Sequence, residues 1–332
     1  MKDLPDLTYY PDDRPGISRR RCGRGFTYIA ADGTRIERGK ERRRIEALAV
    51  PPAYEGVWIS PRVDGHLQAT GRDARARKQY RYHPDWTAFR ARAKYDQLAD
   101  FGRALPRLRR AILAELRRSD PGDQPFALAA VLALLDRAAI RVGNRDYARE
   151  NGSYGATTLK GAHMRLDGGV LRLRFTGKGG TKIKTELRDK TLERALSRLD
   201  DLPGAELITW LDEDGTPRGL RSDEVNAYLA ERTGHAGLTA KTFRTWNGTV
   251  AALEAALACH RDAGRVTIKG MAEAAAERLH NTPTIARTSY IHPQVIALAE
   301  DETAVPDIRD AAPMIDGLRK AEAQLLFLLD GT

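Results

Sequence analysis

The apolar positions of this chain follow two different periods, and the change of period divides it. Up to about residue 85 the apolar residues come in short bursts separated by turn signals. Residues 26–30 predict a strand that ends at Asp32-Gly33, with Thr34-Arg35-Ile36 returning as its hairpin partner. Residues 57–59 and 66–70 predict two more strands around Asp64-Gly65. From Trp86 onward the spacing becomes helical. Residues 126–135 are apolar nearly all round, which predicts a buried helix running on towards Ile140-Arg141-Val142-Gly143-Asn144.

Between Thr157 and Leu187 the period returns to two. Met164-Arg165-Leu166, the turn Asp167-Gly168-Gly169 and residues 170–175 predict a hairpin. The chain then passes through Gly177-Lys178-Gly179-Gly180 and returns along residues 181–185, a three-stranded insert with Lys178 at a glycine-flanked tip. Helices resume after Pro203, at 222–234, 240–260, 268–280 and 314–329. The expected class is α+β: a small N-terminal β-rich domain over residues 1–88 and a larger, mainly helical domain over residues 89–332 that carries the β insert. A chain of 332 residues is long enough to give each its own core.

Charge sharpens this division. Residues 1–200 hold 42 basic and 25 acidic side chains, a balance of +17, whereas residues 201–332 hold 13 and 20, a balance of −7. A basic front points to a polyanion. Within it, Arg72-Asp73-Ala74-Arg75-Ala76-Arg77-Lys78-Gln79-Tyr80-Arg81-Tyr82-His83-Pro84 interleaves cations with aromatics, a composition suited to phosphate contacts beside stacking. Cys22 and Cys259 lie far apart and make no metal-binding spacing. The chain start shows no apolar signal region, and no run approaches membrane-spanning length. The expected setting is the cytoplasm, with no membrane partner.

Four segments carry candidate chemistry. Arg141 precedes a glycine at the end of the buried helix; Lys178 stands on its hairpin tip; Lys241 and Arg244, three apart, share one helix face. The fourth pairs Asn281 with Tyr290, shortly after a Pro-broken turn at Thr282-Pro283. Taken singly, each has an ordinary explanation. Their order is more informative. Arg, Lys on a hairpin, Lys-x-x-Arg on a helix, then a polar residue before Tyr resembles the active site of type IB DNA topoisomerases, in their poxvirus-like bacterial branch. Two stretches strengthen the resemblance, which spans nearly the whole chain: 64–73 with 78–84, and 142–151 with Thr157-Thr158-Leu159.

The resemblance implies a C-shaped clamp closing around duplex DNA, acting as a monomer without metal or small-molecule cofactor. It implies relaxation of positive and negative supercoils by transient cleavage of one strand, through a 3′-phosphotyrosyl intermediate and without ATP. Tyr290 is then the nucleophile, Arg141 and Arg244 stabilise the transition state, and Lys178 donates a proton to the leaving oxygen with support from Lys241. Asn281 stands where many relatives carry His; it can donate a hydrogen bond but cannot carry a proton at neutral pH. The N-terminal match implies DNA contacts from Gln68, Arg72, Arg77, Lys78, Tyr80, Arg81 and Tyr82. A tyrosine recombinase or integrase shares the helical fold and the intermediate, but typically shows His-x-x-Arg where this chain has Lys241-x-x-Arg244. A purely architectural DNA-binding protein has no use for the ordered Arg, Lys, Arg and Tyr set.

Overall fold

The computed structural model describes residues 6–331 and divides between Lys94 and Tyr95 into two compact units. The first is built on a five-stranded antiparallel sheet in the order β2-β1-β3-β4-β5, from β1 (Ile17–Cys22), β2 (Gly25–Ile29), β3 (Glu55–Ile59), β4 (Leu67–Arg72) and β5 (Lys78–Tyr82). Helix α1 (Lys40–Ala47) buries Ile45 against Ile17, Tyr28, Val57, Ile59 and Ala69. Helix α2 (Pro84–Asp96) follows.

The sequence pattern misses β1 because only Ile17 is a buried apolar residue in it. Arg19 takes an interior position instead, donating to the carbonyls of Val50, Pro51 and Tyr54 at 2.7–2.9 Å and lying over the Phe26 ring. Strand β5 is likewise hidden by its charge. The expected strand at Thr34-Arg35-Ile36 reduces to a single bridge between Ile29 and Arg35.

The second unit begins with α3 (Leu98–Arg118), whose Leu98, Phe101, Leu105, Leu108, Ile112 and Leu116 form one buried stripe at helical spacing. Helix α4 (Gln124–Ala138) is buried on every side, as its composition requires. After α5 (Arg145–Asn151) comes the antiparallel insert β6 (Met164–Asp167), β7 (Val170–Thr176) and β8 (Lys182–Leu187). Helix α6 (Lys190–Asp200) and a small hairpin, β9 (Thr209–Leu211) with β10 (Pro217–Gly219), lead to α7 (Ser222–Thr233).

Helix α8 (Ala240–Arg261) crosses the core, with Phe243 and Trp246 both packed edge-on against Phe101. Then follow α9 (Ile268–Leu279), α10 (Pro283–Tyr290), α11 (Pro293–Ala297), α12 (Val305–Asp310) and α13 (Lys320–Asp330). The last helix starts six residues later than 314–329 predicts, for a reason that lies in Glu322. Its carboxylate accepts the Arg319 backbone N–H at 2.8 Å as a capping residue. It also receives both guanidinium nitrogens Nη1 and Nη2 of Arg109 at 2.8 Å, while Arg109 grips Asp136 of α4 with Nε and Nη2. Glu322 is fully buried, so α13 begins where that carboxylate must sit.

Candidate active site

Helix α4 stops at Ala138, short of the expected Arg141. Ala139 turns the chain with φ 52°, in the left-handed region that costs a non-glycine residue about 1 kcal/mol. Beyond it Arg141 lies on an extended segment rather than at a helix end. This segment is fastened by the Ala156 N–H to the Arg141 carbonyl at 2.8 Å and the Thr157 N–H to the Val142 carbonyl at 2.7 Å. The approach needs glycine at 155, since a Cβ there would stand 2.5 Å from the Arg141 carbonyl oxygen and 2.6 Å from the Gly143 nitrogen. A strained, cross-braced loop thus aims the Arg141 side chain.

Asn281 arrives from the other side. His280, with φ 49°, ends α9 in the left-handed conformation, and the Asn281 N–H reaches back to the Ala276 carbonyl at 2.9 Å in a Schellman closure. The Asn281 side chain then accepts from Arg141 Nη2 at 2.7 Å. Because a guanidinium only donates, the amide must present Oδ1 to Arg141 and turn Nδ2 away. Among the described residues that buried Nδ2 has no hydrogen-bond partner.

Arg244 is 3% exposed, on the first turns of α8. Its Nη1 donates to the Ala139 carbonyl and its Nη2 to the Leu279 carbonyl at 2.9 Å, so one guanidinium ties the end of α4 to the end of α9. Its buried Nε has no partner among the described residues. The guanidinium carbon lies 5.1 Å from the centre of the Tyr290 ring. Burial, and then the neighbouring Arg141 charge, push the Arg244 pKa down to about 10.

Tyr290 is the last residue of α10, which Thr282 caps by accepting the Ile285 N–H and Pro283 opens. Its main chain rests directly on α8. A Cβ at Gly248 would meet the Tyr290 Cβ at 3.2 Å and its carbonyl oxygen at 3.1 Å. The Thr249 hydroxyl shares its hydrogen between the Thr245 and Tyr290 carbonyls and accepts the His292 N–H at 3.1 Å. Burial pushes the Tyr290 phenol up, yet Arg244 first, then Arg141 and Lys241, together hold it below the usual tyrosine value. A half-buried phenol among permanent cations is easier to ionise, which is what a nucleophilic role would require.

Arg141, Arg244, Asn281 and Tyr290 are therefore brought together. Lys241 is exposed one turn before Arg244 and close enough to act on the Tyr290 phenol. Lys178 is exposed at the insert tip between β7 and β8, without an ion pair or hydrogen bond among the described residues. Three supporting residues escape sequence reasoning. Arg278 donates to the Arg137 carbonyl and to Asn247 Oδ1, both at 2.9 Å, joining α9 to α4 and α8. Gly248 and Thr249 seat Tyr290. None carries a local signal, because each matters only through a contact with a distant segment.

The N-terminal residues sort differently. Gln68 is buried, and its amide is used up within the fold: Nε2 faces the carbonyls of Arg62, Val63 and Gly65, and Oε1 accepts from Arg44. It holds the 62–65 turn and does not offer itself to DNA, which corrects the expectation. Alternation along β5 puts Lys78, Tyr80 and Tyr82 on one face and Gln79 and Arg81 on the other. Tyr80 and Tyr82 are 48% and 45% exposed and stacked at 6.0 Å, a ready platform for a flat partner. Lys78 pairs with Asp12 at 2.5 Å and Arg77 with Asp73 at 2.7 Å. Arg81 donates to the Ala49 carbonyl, and the exposed Arg72 to that of Ala76. No helix among the described residues is long and apolar enough to cross a membrane.

Comparison with known proteins gives the site its context. Residues 83–303 match the family model of the eukaryotic DNA topoisomerase I catalytic core, and residues 25–73 match that of the bacterial DNA topoisomerase IB N-terminal domain. The chain is 30% identical to the DNA topoisomerase 1B of Acanthamoeba polyphaga mimivirus over 292 residues, 83% of this chain and 85% of that one. Among solved structures it is similar to the XerH site-specific recombinase bound to difH, at 14% identity with a TM-score of 0.37 for the post-cleavage complex. For the pre-cleavage complex the values are 13% and 0.34. The matches cover 60% and 59% of this chain but only about half, 51% and 52%, of the recombinase chains.

Proposed function

This chain belongs to the type IB DNA topoisomerase family, and on that premise we propose that Tyr290 is the nucleophile with which it breaks and reseals one strand of duplex DNA. The observation that carries the reading is the convergence of Tyr290, Arg244, Arg141 and Asn281 from three chain segments far apart in sequence.

The phenol oxygen of Tyr290 attacks the phosphorus of a backbone phosphodiester as its proton passes to solvent water. The bond from phosphorus to the 5′ oxygen breaks, giving a 3′-phosphotyrosyl ester and a 5′ hydroxyl. Negative charge grows on the two non-bridging oxygens in between. The Arg141 and Arg244 guanidiniums and the free Nδ2 of Asn281 answer it with donors already in place, which is where most of the rate comes from in such a site. The departing 5′ oxygen is strongly basic and needs a proton; Lys178, carried on its glycine-rich tip, supplies it, and Lys241 supports the charge at the phosphate.

Resealing is the same path reversed. The phosphotyrosyl ester keeps the energy of the broken bond, so neither ATP nor a metal is required by this scheme. While the strand is open, the duplex rotates and either sign of supercoil is lost. Arg72, Arg77, Lys78, Arg81 and the Tyr80–Tyr82 pair of the first unit hold the duplex by backbone and stacking contacts. In this reading the enzyme works as a monomer on chromosomal DNA.

The test is relaxation of plasmids of both supercoil signs in EDTA without nucleotide, by the natural protein and by Tyr290→Phe. Relaxation and a protein–DNA adduct are expected from the first, and DNA binding alone from the second. A Tyr290→Phe protein that still relaxes DNA removes Tyr290 from the role.

A further inference from the structure

The three-stranded insert has two unlike faces. Leu171, Leu173, Phe175 and Ile183 point into the core of the second unit. On the opposite face the register brings Arg165 against Arg172, Arg174 against Lys184 and Thr176 against Lys182. Five cations thus share one sheet face with two acids, Asp167 and Glu186.

The pairing of these charges is uneven. Asp167 and Glu186 both spend themselves on Arg172, at 2.5 and 2.9 Å. Lys182 donates to Thr176 at 2.9 Å. Arg165, Arg174 and Lys184 have no ion pair among the described residues, because the two carboxylates on this face are both taken by Arg172. Like charges placed directly opposite across two strands destabilise a sheet. Arg174 facing Lys184 is such a pair, left unneutralised beside an apolar face that is otherwise well packed. A fold that tolerates this arrangement gains from it only when an anion lies across both strands.

We propose that this outer face is a second phosphate-binding surface, which holds the backbone of the same duplex at a distance from the bond being cleaved. The proposal rests on the reading that Lys178, at the tip of the same hairpin, works at the cleaved phosphate. Arg174 is four residues from Lys178 and Arg172 six, with Arg165 beside it. At ~3.3 Å per residue along a strand these lie about 13–20 Å from the tip. With ~3.4 Å of duplex axis per base pair, that reaches roughly four to six base pairs from the cleavage point. The face is shaped for recognition of a regular row of charges and carries no aromatic or amide side chain to read bases, so its contribution is to grip rather than sequence choice.

The experiment compares DNA binding by Tyr290→Phe protein with that of the same protein carrying Arg165→Gln, Arg174→Gln and Lys184→Gln. Binding is followed by fluorescence anisotropy over a range of salt, on a labelled 30-base-pair duplex and on one trimmed to three base pairs either side of the cleavage point. On the long duplex the slope of log affinity against log salt is expected to fall by about 2 to 3, at ~0.9 for each phosphate that is no longer neutralised. On the trimmed duplex the two proteins are expected to bind alike. A Lys320→Gln control on α13 should change neither slope.

A second readout separates binding from folding. Arg174→Gln with Lys184→Gln relieves the like-charge pair, so the free protein's thermal midpoint is expected to rise while its DNA affinity falls. Unchanged slope and affinity on the long duplex overturn the proposal, as does a deficit that persists undiminished on the trimmed one. A natural enzyme that binds DNA but forms no covalent adduct would instead count against the Tyr290 reading, a result these binding curves cannot mimic.

Discussion

The Arg141 side chain donates from Nη2 to Oδ1 of Asn281 at 2.7 Å, and that one contact decides which way the amide faces. Asn281 keeps Nδ2 free to donate because Arg141 has claimed its acceptor. Replacing Asn281 by Asp keeps the Arg141 contact and deletes the donor. Single-turnover cleavage by Asn281→Asp is expected to drop about 100-fold or more, the usual loss for one transition-state donor. Asn281→His, which restores a donor at that place, should recover most of it. Rapid-quench cleavage of a labelled duplex measures both; an Asp variant as fast as the parent would remove Nδ2 from the chemistry.

The cations around Tyr290 lower its pKa despite its burial. Its phenolate therefore forms below the ordinary tyrosine range, and cleavage should speed up with rising pH and level off before pH 10. Lys241→Gln withdraws one of the charges and should move that inflection upward. The ultraviolet difference titration between the natural protein and Tyr290→Phe reports the same group directly. A difference spectrum that titrates above 10 would contradict this account.

Asp12 accepts from Lys78 of β5 at 2.5 Å and from the buried Thr70 of β4 at 2.9 Å. Burial raises the Asp12 pKa, but Lys78 and Thr70 outweigh it and keep the carboxylate ionised. A DNA phosphate seeking Lys78 must compete with that carboxylate. Asp12→Asn is expected to tighten binding by about threefold to tenfold at moderate salt and to steepen its salt dependence. Equal or weaker affinity would mean that Lys78 stays with Asp12 when DNA is bound.

Glu322 ties α13 to Arg109 and through it to α4. Burial pushes its carboxyl up, but hydrogen bonds from Arg109 and Arg319 and their charges more than reverse this, so the folded-state pKa lies well below 4.5. A depressed carboxylate contributes stability that is complete above its unfolded value and is lost as pH falls from about 4.5 towards the folded value. Glu322→Gln leaves Arg109 half-paired in the interior and should cost roughly 3–5 kcal/mol at neutral pH. Its stability should also respond less to acid over that interval. Urea unfolding at pH 7 and pH 4 tests both claims.

Periodicity is a good guide wherever one face of an element is apolar. The insert, α4, α8 and α9 can all be placed from hydrophobic spacing, because burial on one face or all round leaves a regular trace. It fails where a charged side chain does interior work. Arg19 hides β1, and Glu322 delays α13. Gln68 looks like a surface residue in the sequence, yet its amide holds a turn together. Arg141 is visible as a residue but not as a loop position, since the left-handed turn at Ala139 has no glycine to announce it. The order Arg, Lys, Arg, Tyr points to the chemistry; that Arg244 fastens two helix ends beneath the Tyr290 ring is not legible, because it depends on carbonyls from α4 and α9.

The seating of Tyr290 on α8 has a mechanical side. In the proposed mechanism a DNA strand hangs from the phenol oxygen, so every twist of the duplex would pull on that side chain, and α10 is only eight residues long. Gly248 lets the Tyr290 main chain lie against a helix of 22 residues, and Thr249 pins the chain at Tyr290 and at His292 to it. On that reading, torque from rotating DNA would pass to a long girder rooted in the core by Phe243 and Trp246. The same girder carries Arg244, so on that reading strain applied to a severed strand would move Tyr290 and the Arg244 charge together, and the geometry for rejoining would survive each turn.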